Sequence, residues 1–119
     1  MKAILLFAHG ARNPEWAGPI LAIRDAMRAR RVAARVECAF LEFIEPLLAE
    51  AIDRLVAEGC NEIVVVPIFM ASTGHTQREL PLLLDAARVR HAQLQLRVAA
   101  PIGEAASVID AIAQYALEA

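Results

Sequence analysis

Two short runs of uninterrupted apolar residues constrain the fold of this 119-residue chain more than any other feature. They lie within Lys2–Ala8 (KAILLFA) and Glu62–Pro67 (EIVVVP). A strand of this composition is typically buried on both faces, as in parallel sheets that helices cover on both sides. The sequence therefore predicts that these two segments are the central strands of a parallel sheet.

Two further strands are predicted from the alternation of apolar and polar residues. Apolar side chains occupy every second position in Arg35–Leu41 and again in Leu94–Val98. Such alternation is typical of strands with one exposed face, so we expect both at the edges of the sheet. The pattern favours an α/β fold whose four parallel strands have the spatial order 2-1-3-4, a flavodoxin-like arrangement.

Helices are predicted after each strand, and they complete four β-α units in one domain over residues 1–119. The expected helices run from about Asn13 to Arg30, from near Pro46 to Gly59, from about Gln77 to Arg90 and from about Gly103 to Leu117. The first is the best marked, since Asn13, Pro14 and Glu15 suit an N-cap, the first helical position and the first turn. Helical spacing predicts that one face of this helix meets the sheet through Trp16, Ile20, Ile23 and Met27. Helices are expected on both faces of the sheet.

Composition excludes several classes of protein. Apolar residues make up 58% of the chain and the formal net charge is -2, which argues against a disordered chain and against a nucleic-acid binder. The longest mostly apolar stretch, Ile63–Ala71, is too short for a membrane span and contains Pro67. No signal peptide is recognisable, and Cys38 and Cys60 have no metal-site spacing. We therefore expect a cytoplasmic protein with no membrane or nucleic-acid partner.

Three polar side chains follow three neighbouring strands of the predicted sheet. His9 comes directly after the first strand, Glu42 follows the second, and His75 lies in the loop expected after the third. Ligands of such sheets bind at the carboxyl ends of the strands, where the strand order reverses. Two imidazoles and a carboxylate can bind a divalent transition metal or accept protons near neutral pH. The alternative is that His9 and His75 are ordinary loop histidines.

Arg12 and Arg78 lie on the same two segments as the histidines. Either could bind acidic groups of a ligand, since guanidinium matches carboxylate geometry, or remain a solvated charge. The third histidine, His91, lies at a basic helix end and is expected to be solvated. Histidine phosphatases also have a His-Gly pair after the first strand. In them an arginine precedes the histidine, whereas this chain has Ala8 there, which argues against a histidine phosphatase.

Three motifs give the chain its resemblance to the small type II chelatases of the CbiX/SirB group. They are Leu6–Pro14 (LFAHGARNP), Ala39–Glu42 (AFLE) followed by Pro46, and Val64–Met70 (VVVPIFM) followed by Gly74-His75 and Glu79-Leu80-Pro81. The resemblance covers nearly the whole chain. The sequence departs from the usual pattern at Thr73, where a glycine is common, and at Glu79-Leu80-Pro81, where Asp-Ile-Pro is usual.

The resemblance implies insertion of a divalent metal into sirohydrochlorin, a tetrapyrrole, for cobalamin or siroheme biosynthesis. It implies that His9 and His75 are metal-binding and catalytic, that Glu42 assists the metal, and that Arg12 and Arg78 are candidates to bind the substrate carboxylates. Cobalt, iron or nickel would be the metal substrate, with no other cofactor. Short members of this group pair as homodimers. A non-catalytic metal or tetrapyrrole carrier on the same fold remains the alternative.

Overall fold

A four-stranded parallel sheet is the centre of the computed structural model, which describes all residues from Met1 to Ala119. The strands are β1 (Lys2–Ala8), β2 (Arg35–Phe40), β3 (Glu62–Pro67) and β4 (Gln95–Val98). Their spatial order is β2-β1-β3-β4, and every neighbouring pair is parallel. The predicted α/β class and the order 2-1-3-4 are confirmed, and the predicted strand ends are correct to within one residue.

Four α-helices and two short 3-10 helices connect and follow the strands. In chain order they are η1 (Pro14–Ala17), α1 (Gly18–Ala29), α2 (Leu48–Ala57), α3 (Gly74–Arg90), η2 (Ile102–Glu104) and α4 (Ala106–Glu118). Helix α1 packs on one face of the sheet, while α2 and α3 pack on the other. No helix combines the length and the apolar content that crossing a bilayer requires.

The central strand β1 contributes to a hydrophobic core on each face of the sheet. Leu5 and Phe7 belong to the larger core, with residues of α2 and α3, whereas Leu6 and Ala8 belong to the smaller core under α1. All four side chains are essentially inaccessible to solvent. This burial on both faces explains why the strand carries no polar residue after Lys2, which lies exposed at its start.

The register of the strands brings the segments after β1, β2 and β3 to one edge of the sheet. Ala8 lies opposite Phe40, and Phe7 lies opposite Pro67. The backbone pairing continues past the strand ends, since the Glu42 N–H donates to the His9 carbonyl at 3.1 Å. The His9 and Glu42 backbones are therefore held as firmly as the strands themselves.

Helix α3 begins earlier than predicted. Thr73 is its N-cap, where Thr73 Oγ1 accepts from the Thr76 N–H at 3.3 Å and Thr76 Oγ1 accepts from the Thr73 N–H at 3.0 Å. This reciprocal capping starts the helix at Gly74. The predicted loop position of His75 is therefore wrong, because His75 lies in the first turn of α3. Arg78 lies in the same helix, within the predicted bounds.

Two apolar residues of the first helical segment do not face the sheet as predicted. Trp16 is 40% exposed, because it lies in η1, whose tighter winding moves it off the line of the α1 stripe. Its ring still contacts Phe40 edge-on, with 6.5 Å between ring centroids. Ile23 is 38% exposed, since no helix packs beside α1 to cover it. Ile20 is buried and Met27 is half-buried, as expected.

The last helix forms but does not cover the sheet. Every residue of α4 except Val108 is exposed, and its substantial contacts are with η2. Helices cover both faces of the sheet as expected, through α1 on one face and α2 and α3 on the other, and α4 takes no part in this cover. The apolar spacing of α4 predicts a helix, but it does not identify the surface on which that helix would pack.

Candidate functional site

His9 and Glu42 are joined at the carboxyl ends of β1 and β2. His9 Nε2 and Glu42 Oε1 are 3.0 Å apart, and about two fifths of each side chain is exposed. When Nε2 carries the proton and donates it to the carboxylate, Nδ1 carries the free lone pair. Nδ1 has no hydrogen-bond partner in the chain. A carboxylate that fixes the tautomer in this way is a common arrangement behind metal-binding histidines.

Gly10 allows the two segments to approach this closely. Its φ is +98°, and a Cβ built there would lie 1.9 Å from the carbonyl oxygen of Glu42. Any other residue would be strained by the backbone angle and would also clash with that oxygen. Sequence reasoning did not identify this role, although the glycine directly after His9 was its signal.

His75 lies beside His9 although the two are far apart in sequence. Their ring centroids are 6.0 Å apart and the ring planes differ by 23°. His75 is exposed, and neither of its ring nitrogens has a hydrogen-bond partner. The fold thus brings together the three predicted residues His9, His75 and Glu42. No three His, Cys, Asp or Glu side chains converge on one point as metal ligands, and Glu42 engages His9.

Arg12 and Arg78 are both exposed, and neither forms an ion pair within the chain. The Arg12 guanidinium lies over the Phe43 ring, 5.2 Å from its centroid, in a cation–π contact. The Arg78 Nη1 atom folds back toward Gly74, the residue before His75, where a built Cβ would be 3.6 Å away. Both cations can therefore meet an anionic ligand beside the histidines.

Three exposed large apolar residues lie in the segments that follow the same strands as the histidines. Trp16, Phe43 and Met70 follow β1, β2 and β3, and they are 40%, 56% and 59% exposed. Exposed large apolar residues close together often mark a ligand or partner surface. We call Trp16, Phe43 and Met70 the apolar rim, and the sequence analysis did not predict it. The sequence could have indicated it, because each of the three residues lies in a segment that directly follows a strand.

His9 and His75 lie on an open surface, called the shelf below, and not inside a cavity. The three cavities of the chain are lined by other residues, and the one nearest the site, of about 270 Å³, is lined by Thr76 and Gln77 among others. A flat ligand could approach this shelf directly.

The remaining histidine and the cysteines lie outside the site. His91 precedes β4, at the opposite edge of the sheet, and its Nε2 is 2.6 Å from Asp53 Oδ1. It is therefore paired rather than simply solvated. Burial raises the pKa of the Asp53 carboxyl, but the hydrogen bonds from His91 and Arg90 outweigh it and the net pKa is lowered. Cys38 and Cys60 are buried, and burial raises the pKa of the Cys38 thiol.

Comparisons with known proteins identify the family of this chain. The model of the CbiX family matches residues 3–119. A sirohydrochlorin cobaltochelatase of Saccharolobus solfataricus is 36% identical over 109 residues, which cover 87% of this chain and 84% of the relative. A second, of Methanococcus maripaludis, is 31% identical over 84 residues, which cover 71% of this chain and 58% of the relative.

Two solved structures share the fold. The cobalamin biosynthesis CbiX protein of Marinobacter aquaeolei superposes with a TM-score of 0.86 at 24% identity, over 99% of this chain and 96% of that one. The sirohydrochlorin chelatase SirB of Bacillus subtilis subspecies spizizenii, in complex with cobalt, superposes with a TM-score of 0.81 at 26% identity. It covers 98% of this chain and 50% of SirB. As its three motifs predict, this chain belongs to the CbiX family.

Proposed function

We propose that this chain inserts a divalent metal ion into sirohydrochlorin, with His9 and His75 as the residues that deliver the metal. Membership of the family makes it a metal chelatase, since the relatives aligned over 87% of its length are sirohydrochlorin cobaltochelatases. The main support for the proposal is that the ring centroids of His9 and His75 are 6.0 Å apart and that Glu42 is hydrogen-bonded to His9.

The metal is a substrate that the imidazoles hold briefly. His9 Nδ1 and the His75 ring have no other partner in the chain, so they can bind a metal without breaking an internal bond. Neutral imidazole suits cobalt, iron and nickel. Glu42 keeps His9 in one tautomer and adds a negative charge near the cation. Two ligands and an exposed site favour a bound ion that can leave again.

Insertion requires proton acceptors, because a divalent ion replaces the two pyrrole N–H protons of the macrocycle. Glu42 and the imidazoles are the basic groups at the site, and all three are partly or largely exposed. A proton accepted there can pass to water. General-base catalysis by such groups needs direct hydrogen-bond reach or one bridging water.

The surroundings of the histidines suit a flat apolar macrocycle with acidic substituents. The apolar rim can contact the ring system, while Arg12 and Arg78 can pair with peripheral carboxylates. The Arg12 guanidinium lies over the Phe43 ring and forms no hydrogen bond within the chain, so its donors are free to pair with a carboxylate. This arrangement would orient the substrate with its pyrrole nitrogens toward His9 and His75.

A complete active unit is proposed to contain two copies of the chain in the cytoplasm. Support comes from the exposure of His9 and His75 and from SirB, of which this chain matches 50%. A homodimer would supply a second half, as SirB carries in its own chain.

The test is turnover. Purified protein is mixed anaerobically with excess sirohydrochlorin and excess Co²⁺, Fe²⁺ or Ni²⁺, and the visible spectrum is followed. A chelatase yields many equivalents of metallated product per chain. A product yield that stops at one equivalent with all three metals would favour the carrier instead. The relative initial rates identify the preferred metal, and with it the choice between cobalamin and siroheme biosynthesis.

A further inference from the structure

Phe43 has a backbone conformation that a bulky residue rarely adopts. Its φ is +70°, in the region that favours glycine. The Ile44 N–H donates to the Glu42 carbonyl, two residues back, at 2.9 Å, which makes Phe43 the centre of a γ-turn. With a positive φ this is the rare and strained form of that turn. The backbone is therefore strained at the residue directly after Glu42.

Neither a helix end nor burial of the ring accounts for this strain. Arg31, the other non-glycine residue with a positive φ, lies just past the end of α1, where that conformation is common. Phe43 lies at no helix end, its side chain is 56% exposed, and it belongs to neither hydrophobic core. The nearby Leu41 and Ile44 pack against the two cores instead. A strained residue that gains no burial points to a function.

The Phe43 ring contacts the guanidinium of Arg12. The guanidinium lies 5.2 Å from the ring centroid, within the range of a cation–π interaction. Arg12 forms no ion pair within the chain, so this stacked contact is what orders the end of its side chain. Arg78, the other cation beside the histidines, has no such aromatic contact. The two candidate substrate cations therefore differ in how firmly they are held in place.

The backbone holds the ring and the cation side by side. Arg12 lies on the segment after β1, and Phe43 lies on the segment after β2. These two segments are joined by the hydrogen bond from the Glu42 N–H to the His9 carbonyl, at 3.1 Å. The Glu42 carbonyl that closes the γ-turn also lies directly against Gly10. The strained turn is thus part of the same close contact that brings His9 and Glu42 together.

We propose that Phe43 is the positioning residue for Arg12, and that its strained turn holds the stacked guanidinium ready to receive an acidic group of the tetrapyrrole. This inference rests on the proposed function for its substrate, sirohydrochlorin, although not on the insertion step. An arginine side chain loses rotamer freedom when it binds a ligand, and a guanidinium that is already stacked on a ring has less to lose. The backbone strain at Phe43 is then offset in function by a better-ordered cation.

Titration of the full chain with sirohydrochlorin in the absence of metal, followed by the visible spectrum, tests this role. Phe43→Leu keeps an apolar side chain but removes the aromatic face, so Kd should rise about two- to fivefold, the strength of an exposed cation–π contact. Phe43→Tyr keeps that face and should restore the wild-type Kd. In an Arg12→Ala background Phe43→Leu should have no further effect, whereas in the matched Arg78→Ala background it should raise Kd by the same factor as in the wild type. An unchanged Kd for Phe43→Leu, or an equal rise in both backgrounds, overturns the proposal.

Thermal unfolding of two further variants tests the strain without any ligand. Phe43→Gly and Phe43→Ala both lack the ring, and only glycine accepts a positive φ without strain. We expect Phe43→Gly to have the higher Tm, by about 4 °C, although glycine at an unstrained position lowers stability. A higher Tm for Phe43→Ala would overturn the strained turn and the proposal with it.

The titrations and the insertion assay together separate this inference from the proposed function. Turnover of metal without the coupling between Phe43 and Arg12 overturns this inference alone. The coupling without turnover supports this inference and overturns metal insertion alone.

Discussion

Gly10→Ala is the substitution whose effect the structure predicts most sharply, and Gly59→Ala is its control. Both glycines have a positive φ, +98° and +102°. A Cβ at position 10 would lie 1.9 Å from the Glu42 carbonyl oxygen, whereas a Cβ at position 59 would meet nothing within 4 Å. The two variants therefore share the backbone strain and differ in the clash.

The magnitude follows from these two contributions. Placing alanine at such a φ costs about 1–2 kcal/mol at either position. At position 10 the segments must also separate by about 1 Å to relieve the contact, which breaks the hydrogen bond from the Glu42 N–H to the His9 carbonyl. Loss of that bond and of adjacent packing adds about 2 kcal/mol. Gly10→Ala should thus be about 2 kcal/mol less stable than Gly59→Ala, or about 8 °C lower in Tm.

Thermal and urea unfolding of both variants measures this difference, and the insertion assay supplies a second readout. Separation of the two segments also moves His9 from Glu42, so Gly10→Ala should lose most of its insertion rate at a temperature where it is still folded. Gly59→Ala should keep the wild-type rate. Equal Tm values for the two variants would refute the reasoning, because the clash would then have no energetic consequence.

Three further predictions concern the site and the rest of the chain. Glu42→Gln keeps a hydrogen-bond acceptor for His9 but removes the base, so kcat should fall about 10- to 100-fold with little change in KM, while Glu45→Gln on the same loop should be unaffected in steady-state assays. Asp53→Asn should destabilise the protein at pH 7, and the difference from wild type should shrink as the pH falls below about 4 in a urea-unfolding series. At a pH above the unfolded-state pKa of Asp53, the lowered pKa of this carboxyl stabilises the folded protein. This stabilisation is lost as the pH falls through the folded-state pKa, so the variant and the wild type become more alike. Cys38 should resist iodoacetamide in the native protein and react after denaturation, since its thiol is buried and its pKa is raised. A native-state reaction at the rate of a free thiol would contradict its placement.

The sheet could be predicted from the sequence because burial on two faces and burial on one leave different patterns. Lys2–Ala8 and Glu62–Pro67 admit almost no polar residue, whereas the edge strand Arg35–Phe40 alternates. That difference separates the central strands from the edge strands, and the observed order β2-β1-β3-β4 agrees with it. The sequence was less informative at the start of α3, because Thr73 and Thr76 cap each other through hydroxyl groups and lack the glutamate of the usual capping motif.

The residues of the site were predicted by their position after the strands, but their contacts were not. Topology places His9, Glu42 and His75 at one edge, and the sequence carries that information. The hydrogen bond between His9 and Glu42 depends on a close approach of two loops, which Gly10 permits. The apolar rim depends on which side chains the rest of the fold leaves exposed. The position of α4 relative to the sheet could not be predicted, because its apolar spacing predicts a helix and does not identify the surface on which that helix would pack.

The most direct test of the central claim is the rate of metal insertion by three histidine variants under the same anaerobic conditions. His9→Ala and His75→Ala should each lose most of the wild-type rate, because each removes one of the two paired imidazoles. His91→Ala, which removes the histidine bonded to Asp53 at the opposite edge of the sheet, should retain it. If the double variant of His9 and His75 inserts metal at the wild-type rate, the assignment of the site is wrong.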